Sequence, residues 1–210
     1  PRGRVLTDWI DAVLEGKAEF AQEALSRNRD YPVFITRDIA EMKNYLRDLS
    51  SPERRVGLLA SAQARRLRSL GIEMSNEFQS GIHWPQWFIE SEEDLRSSYS
   101  LEVAASEFKC QGLEIDWAGL CWGADFIYDE ENQRWVSWKL SGSKWQKDKT
   151  IEKQQQAINR YRVLLSRARY GLILWIPRFP DYSAEDNDGM KRTYDFLKLC
   201  GAVALPPKEI

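Results

Sequence analysis

The sequence predicts a three-layer α/β domain built on a mainly parallel sheet, with a β-hairpin insertion. Three observations predict it. Segments with helical periodicity alternate along the chain with short strand-like runs. Two of those runs, Val56–Ala60 (VGLLA) and Gly171–Ile176 (GLILWI), are apolar throughout, which suits strands covered on both faces. Two further runs, Ile127-Tyr128 and Trp135–Trp138, flank the polar turn DEENQ and read as a hairpin.

Taken in order, residues 8–25 read as a helix capped by Asp8, with Trp9, Ile10, Val13 and Leu14 on one face. Residues 1–30 as a whole read as an N-terminal helix and linker. Tyr31–Thr36 (YPVFIT) is a short β-rich run, and Asp38–Leu49 is a second helix with Ile39, Met42, Tyr45, Leu46 and Leu49 at helical spacing. Val56–Ala60 follows as a buried strand, then Ala62–Leu70 as a helix made basic by Arg65, Arg66 and Arg68. Residues 71–100 mix Gly, Pro, Ser and aromatics without periodicity and read as an irregular surface insertion. Leu101–Ala105 and Glu114–Trp122 are strands. The hairpin comes next, then a polar loop over Lys144–Thr150. Ile151–Arg167 is a long helix with Ile151, Ile158, Tyr161 and Leu165 in one stripe. It leads into Gly171–Ile176. A last helix over Asp186–Leu199 and a strand over Ala202–Leu205, before Pro206-Pro207, complete the set.

The chain has 210 residues, which fits one domain. With 43% hydrophobic and 30% charged residues it is too apolar to be disordered. No apolar run is long enough to span a membrane, and the first residues, Pro1-Arg2-Gly3-Arg4, lack a signal-peptide core. A start at Pro1 without Met reads as a processed product or a piece of a larger protein. The formal net charge of -2 does not indicate a strongly basic nucleic-acid-binding domain and does not exclude one, because a local groove can be positive on a neutral protein. Three scattered cysteines, Cys110, Cys121 and Cys200, form no CxxC pair and point to a reducing cytoplasm. The lone His83 excludes a multi-histidine metal site, and no metal-ligating set is expected. Six of the nine tryptophans fall between residues 84 and 138 and read as packing residues.

Neither a G-x-x-x-x-G-K-[ST] phosphate loop nor a G-x-G-x-x-G turn occurs, so the chain cannot cradle a triphosphate alone in the usual way. Two segments stand out. Ala105–Asp116 (ASEFKCQGLEID) places Gly112 between two strands, where the backbone can turn or approach a ligand, with Glu114 just after it. Asn159–Gly171 (NRYRVLLSRARYG) places Arg160, Arg162, Arg167 and Arg169 at a helix end and in the turn that follows. Arginines there gain from the helix dipole. Arg167 follows the apolar triplet Val163-Leu164-Leu165, so the docked helix holds it rigidly, as a phosphate-sensing arginine requires. Lys139, Lys144 and Lys147 lie among Trp138 and Trp145, a mixture that suits either single-strand contact or a plain exposed loop.

The pair QGLEID and YRVLLSRARYGLIL resembles motifs V and VI of superfamily 1 helicases, which sit in the second, C-terminal RecA-like domain. Motif V there reads roughly T-x-H-x-x-K-G-L-E and motif VI V-x-x-T-R-A; this chain has S-E-F-K-C-Q-G-L-E and V-L-L-S-R-A. More narrowly, EFKCQGLEIDWAGLCWGADF followed by NRYRVLLSRARYGLILWIP resembles a bacterial family of unknown function, the Schlafen group 3-like DNA/RNA helicases, over about residues 30–205. The resemblance implies a single RecA-like domain over 1–210, the second motor domain of an ATP-dependent helicase or translocase. ATP and Mg²⁺ would be bound jointly with an N-terminal phosphate-loop domain of the same parent chain, and the isolated chain would be inactive. Arg167 matches the arginine that reaches the γ-phosphate across the interdomain cleft. Gly112 and Glu114 match residues near the sugar and phosphates, Gln111 stands where Lys is usual, and Arg169 is a further candidate for the cleft. Ser106 matches a Thr that contacts the nucleic-acid backbone. Phe108 replaces a His there and could stack on a base, with Lys109 beside it. The partner implied is single-stranded DNA or RNA. The motif IV arginine should lie near or before residue 1, where Arg2 and Arg4 stand. Two other readings remain open. One is a non-enzymatic interaction domain of helicase descent, for which the departures at Gln111 and Phe108 leave room. The other is a metal-dependent nuclease using Glu114, Asp116, Asp125 and Lys139.

Overall fold

Strand β1 (Val33–Thr36) is followed by helix α3 (Ile39–Leu49), and two helices, α1 (Arg2–Leu14) and α2 (Ala18–Ser26), precede it. The computed structural model describes residues 2–28, 30–142, 144–179 and 184–206; Pro1, Pro207 and the side chains of Arg2 and Arg4 lie outside that description. The single helix expected over 8–25 is two helices. Gly16 stands between them at φ +77°. Its N–H donates to Val13 O at 3.0 Å and Lys17 N–H to Ala12 O at 2.8 Å, a pairing that closes a helix at a left-handed glycine. Asp8 lies inside α1. Asp38 caps α3 by accepting from Ala40 N at 2.7 Å.

Beyond α3 come β2 (Val56–Ala60), α4 (Asn76–Gly81), α5 (Trp84–Ile89), β3 (Ala104–Ala105), β4 (Ile115–Cys121), β5 (Phe126–Asp129), β6 (Arg134–Ser141), β7 (Lys144–Lys147), α6 (Ile151–Leu165), β8 (Ala168–Trp175), α7 (Ala184–Leu199) and β9 (Val203–Ala204). Six strands form one sheet in the order β3-β2-β4-β8-β1-β9, every neighbouring pair parallel. The antiparallel β5-β6-β7 form a second, smaller sheet. The mixed α/β fold with helices on both sides of a parallel sheet is the predicted one. The expected loop at Lys144–Thr150 is instead strand β7 paired with β6, and the basic helix after β2 is a 3-10 turn, Arg65–Leu70.

The two faces of the sheet pack differently. On one, α3 sets Met42 and Leu46 against Gly119; a Cβ there would lie 2.8 Å from Leu46 Cδ1. On the same face Gly171 of β8 leaves room for the Trp117 ring of β4. On the other face an aromatic column runs Tyr161, Trp122, Phe126, Trp135, Tyr128, Phe196, with successive centroids 3.6–6.3 Å apart. Trp135 Nε1 ties it to distant backbone at Val13 O, 2.7 Å, while Trp122 Nε1 donates within it to Phe126 O at 2.7 Å; Trp9 of α1 separately donates to Cys200 O at 3.0 Å. Four of the six clustered tryptophans (Trp87, Trp117, Trp122, Trp135) are buried, and so are all three cysteines. His83 is exposed at the start of α5.

The insertion at 71–100, read as irregular, holds α4, α5 and a short 3-10 turn. Arg55 gathers it from the sheet side, and Trp87, Gln79 and Tyr99 donate from it to Val103 O, Ala104 O and Ser51 O. The Arg55 guanidinium donates to Glu90 O at 2.9 Å and to Ser98 Oγ at 3.1 Å, and it lies over the Tyr99 ring. Trp87 fills the space that Gly57 leaves open. Among the described residues no helix is long and apolar enough to cross a membrane.

A Cβ at position 171 would lie 2.3 Å from Trp117 Cζ3. Gly171→Ala is expected to lower stability by about 1–3 kcal/mol through overpacking, read as a lower urea midpoint at unchanged m-value.

Candidate functional site

The residues singled out in the sequence fall on one short connection and on the helix beside it. Between β3 and β4 the chain must return from the carboxyl end of the sheet to its amino end, and residues 106–114 do so without a helix. The connection begins in a tight turn, with Lys109 N and Cys110 N both donating to Ser106 O at 2.9 and 3.0 Å. It then runs alongside α6. Glu107 pairs with Arg160 at 3.1 Å near one end, and Arg167 Nη1 donates to Leu113 O at 3.4 Å near the other. One segment therefore carries groups to both edges of the sheet.

At the amino edge Gln111, Gly112, Leu113 and Glu114 are all exposed. Gly112 has φ +79°, a left-handed conformation that favours glycine, and a Cβ there would meet nothing within 4 Å. Arg167 closes α6: Nε donates to Val163 O at 3.1 Å and Nη2 to Ser166 Oγ at 2.9 Å. Arg169, on β8, stands 3.5 Å from Glu114 and 3.8 Å from Asp116, and Asp116 also accepts from Arg55 N at 2.8 Å. The structure thus brings Gln111, Gly112, Glu114, Arg167 and Arg169 together on one exposed rim, with two guanidinium groups near the bare Cα of Gly112. Cys110 sits beneath this rim; burial pushes its thiol up to about 12.

Toward the carboxyl edge the picture changes. Phe108 is 70% exposed and Lys109 Nζ lies 5.9 Å from the Trp84 ring centre, whereas Ser106 is buried at 3%. Phe108 and Lys109 are presented to solvent by the turn that the Ser106 carbonyl organises, while the Ser106 hydroxyl lies inside the fold.

The group that sequence reading missed lies just below. Arg160 of α6 bridges two buried carboxylates, Glu107 at 3.1 Å and Asp125 at 3.2 Å. Asp125 is fully buried and also accepts from Ser61 Oγ at 2.6 Å and Tyr161 Oη at 3.0 Å. Glu107 accepts from Ala62 N at 2.9 Å, and Tyr161 Oη accepts from Gly123 N at 3.2 Å. The ends of β2, β3 and β4 are thereby tied to α6. Burial pushes both carboxyls upward, and the Arg160 charge opposes that shift. An Asp just past an apolar strand and an Arg on a helix's inward stripe carry no sequence signal for this pairing, because the partners are 35 residues apart.

Glu114 and Asp116 flank the start of β4 and Asp125 lies past its end, a strand's length of about 20 Å away. Lys139 is ion-paired with Asp148 at 3.0 Å. The carboxylates named for a nuclease centre do not converge, and among the described residues no group of three or more His, Cys, Asp or Glu could hold a metal ion.

The family model described as Schlafen group 3, DNA/RNA helicase domain matches residues 2–178. Comparison with curated proteins gives no match, and comparison with solved structures gives none either.

Arg160→Met would leave Asp125 and Glu107 buried without a counter-charge and is expected to cost about 3–5 kcal/mol near neutral pH. The sign of the pH dependence follows from the raised carboxyl pKa values. Removing the cation raises them further above their unfolded values, so the folded variant binds protons more readily than the unfolded chain. Its deficit should shrink in acid and grow as pH rises, measured by urea midpoints on the two sides of neutrality.

Proposed function

The chain belongs to the Schlafen group 3 DNA/RNA helicase domain family, and on that premise we propose that it is the second motor domain of an ATP-driven helicase or translocase. The observation that carries this reading is the meeting of Gly112–Glu114 with Arg167 and Arg169 on one exposed rim, where Arg167 Nη1 contacts Leu113 O at 3.4 Å. The donor set suits a phosphate-bearing nucleotide: two cations with fixed forks beside a glycine over open space. It lacks a phosphate loop, so a further domain would have to contribute one.

In this reading the rim faces that second domain. ATP, held with Mg²⁺ between the two, would supply the phosphoryl group whose transfer to water drives the cycle. Arg167 presents positive charge where negative charge develops. In its present position all three of its nitrogens are engaged by Val163, Leu113 and Ser166, so reaching outward exchanges those weak hydrogen bonds for a phosphate. Gly112 lets the backbone come close, and Gln111, Glu114 and Arg169 border the same opening. Phe108 and Lys109 offer a ring and a cation to single-stranded DNA or RNA, on the turn set by Ser106. The movement of one domain against the other would be felt by the strand through this turn.

The purified chain alone is expected to show no ATP hydrolysis; robust turnover would sink the reading. Joined to its phosphate-loop domain, Arg167→Ala should cut ATP turnover by about 10³-fold or more with an unchanged thermal midpoint, and Arg167→Lys should not restore it. Lys109→Ala should weaken single-strand binding and lower the salt slope by about 1, followed by fluorescence anisotropy at several salt concentrations.

A further inference from the structure

The sheet has a second edge that the proposed function leaves unused near β1 and β8. These strands are neighbours at its centre-right, and the chain leaves them in opposite directions. From β1 it passes through α3 to β2; from β8 it passes through α7 to β9. In open α/β sheets the crevice outside the carboxyl ends at such a divergence is where ligands bind. Here each of the two strands delivers an arginine to it, Arg37 directly after β1 and Arg178 shortly after β8.

A cavity of about 790 Å³ opens at this point, walled by Arg37, Arg178, Phe179, Tyr194 and Leu70. A smaller one of about 480 Å³ shares Arg37, Arg178 and Leu70. Arg37 is held in place on several sides. Its Nη2 donates to Pro177 O at 3.1 Å, its guanidinium lies 5.4 Å from the Tyr194 ring centre, and Trp175 Nε1 donates to its carbonyl at 3.3 Å. Its Nε is buried without a hydrogen-bond partner. Burial and the neighbouring Arg178 charge both push the Arg37 pKa down. Asp195, Asp188 and Lys191 also line the cavity, and the Asp195 charge acts on Arg37 in the opposite sense. Asp195 is paired with Lys191 at 2.5 Å, Asp38 accepts from Ala40 N at 2.7 Å and Glu41 from Thr36 Oγ1 at 2.6 Å. Among the described residues neither Arg37 nor Arg178 has a carboxylate in salt-bridge contact. Two guanidinium groups brought to one cavity repel each other, and an oxyanion that accepts from both relieves that repulsion.

We propose that the Arg37–Arg178 crevice is a binding site for a phosphate group, separate from the Arg167 rim at the other edge. The planar guanidinium forks suit phosphate oxygens, and the cavity has room for more than a bare ion. The phosphate can come from a free phosphate compound or from a nucleic-acid strand, and the two are separable by experiment. The chain is titrated with sodium pyrophosphate and, separately, with a short oligothymidylate, following tryptophan fluorescence and calorimetry. Arg178→Gln, on an exposed side chain and with the thermal midpoint checked, should weaken binding at least about tenfold, the loss of one charge-assisted hydrogen bond. Arg37→Gln should do the same, with the thermal midpoint checked. Arginine-dependent binding of pyrophosphate alone assigns a free phosphate compound, of the oligonucleotide alone a strand, and of both a phosphate site open to either. Arg167→Ala should leave the part of these affinities that depends on Arg37 and Arg178 unchanged, so failure of the motor reading and failure of this one are distinguishable. Binding that is equal in wild type and in the Arg178→Gln chain, or absent from wild type for both probes, overturns the proposal.

Discussion

The bridge from Arg160 to Asp125 and Glu107 is the interaction on which the functional half of the molecule depends. A parallel sheet ends in loops that have no ladder partners of their own, and three of them, after β2, β3 and β4, meet at this cation. Each contributes an oxygen or an N–H to the same network: Ser61 and Ala62, Glu107, Gly123 and Asp125. Two buried carboxylates around one guanidinium gain little stability over an apolar core, because desolvation offsets most of the attraction. What the arrangement does is fix geometry. It decides where α6 lies over the sheet, and through α6 where Arg167 emerges.

The two edges of the sheet serve different surfaces. The amino edge gathers cations and a bare glycine on an exposed rim, the kind of surface that a second domain can complete. The carboxyl edge between β1 and β8 is concave, and its arginines come from strand ends that the chain leaves in opposite directions. The formal charge of the whole chain, -2, hides both. Positive charge is concentrated by placement. At the carboxyl edge the nearby acids are engaged by lysine, backbone N–H or threonine, while at the amino edge Glu114 and Asp116 pair with Arg169 and leave Arg167 without an acid partner among the described residues.

Much of the fold was legible because its signals are local. VGLLA and GLILWI announce strands covered on both sides, and the stripe in Ile151–Arg167 announces a helix with one docked face. The rest depended on partners distant in sequence. Residues 8–25 read as one helix because the periodicity continues across Gly16, and only the left-handed glycine interrupts it. Lys144–Lys147 is polar, so nothing in it signals a strand; its pairing with β6 makes it one. The insertion looked irregular because its order comes from Arg55, 35 residues before Glu90, rather than from its own pattern. At the site, the rim around Gly112, Glu114, Arg167 and Arg169 was legible from motif resemblance, with no indication from spacing alone that the two segments touch. The burial of Ser106 was not legible, since a serine at a strand end reads as surface. Arg37 and Arg178 were invisible as a pair because the sheet order that makes β1 and β8 neighbours is not written in the chain order.

The connection from β3 to β4 has a mechanical consequence. Most crossovers between parallel strands coil through a helix and carry slack; this one crosses in a single short pass, and Arg160 and Arg167 pin it near its two ends. The segment is not drawn straight: Ser106 O gathers Lys109 N and Cys110 N, and Leu113 N turns back to Cys110 O at 3.1 Å. Two successive turns and two arginines, rather than a packed helix, hold its shape. One covalent segment nine residues long therefore carries Phe108 toward one edge of the domain and Gly112 to the other.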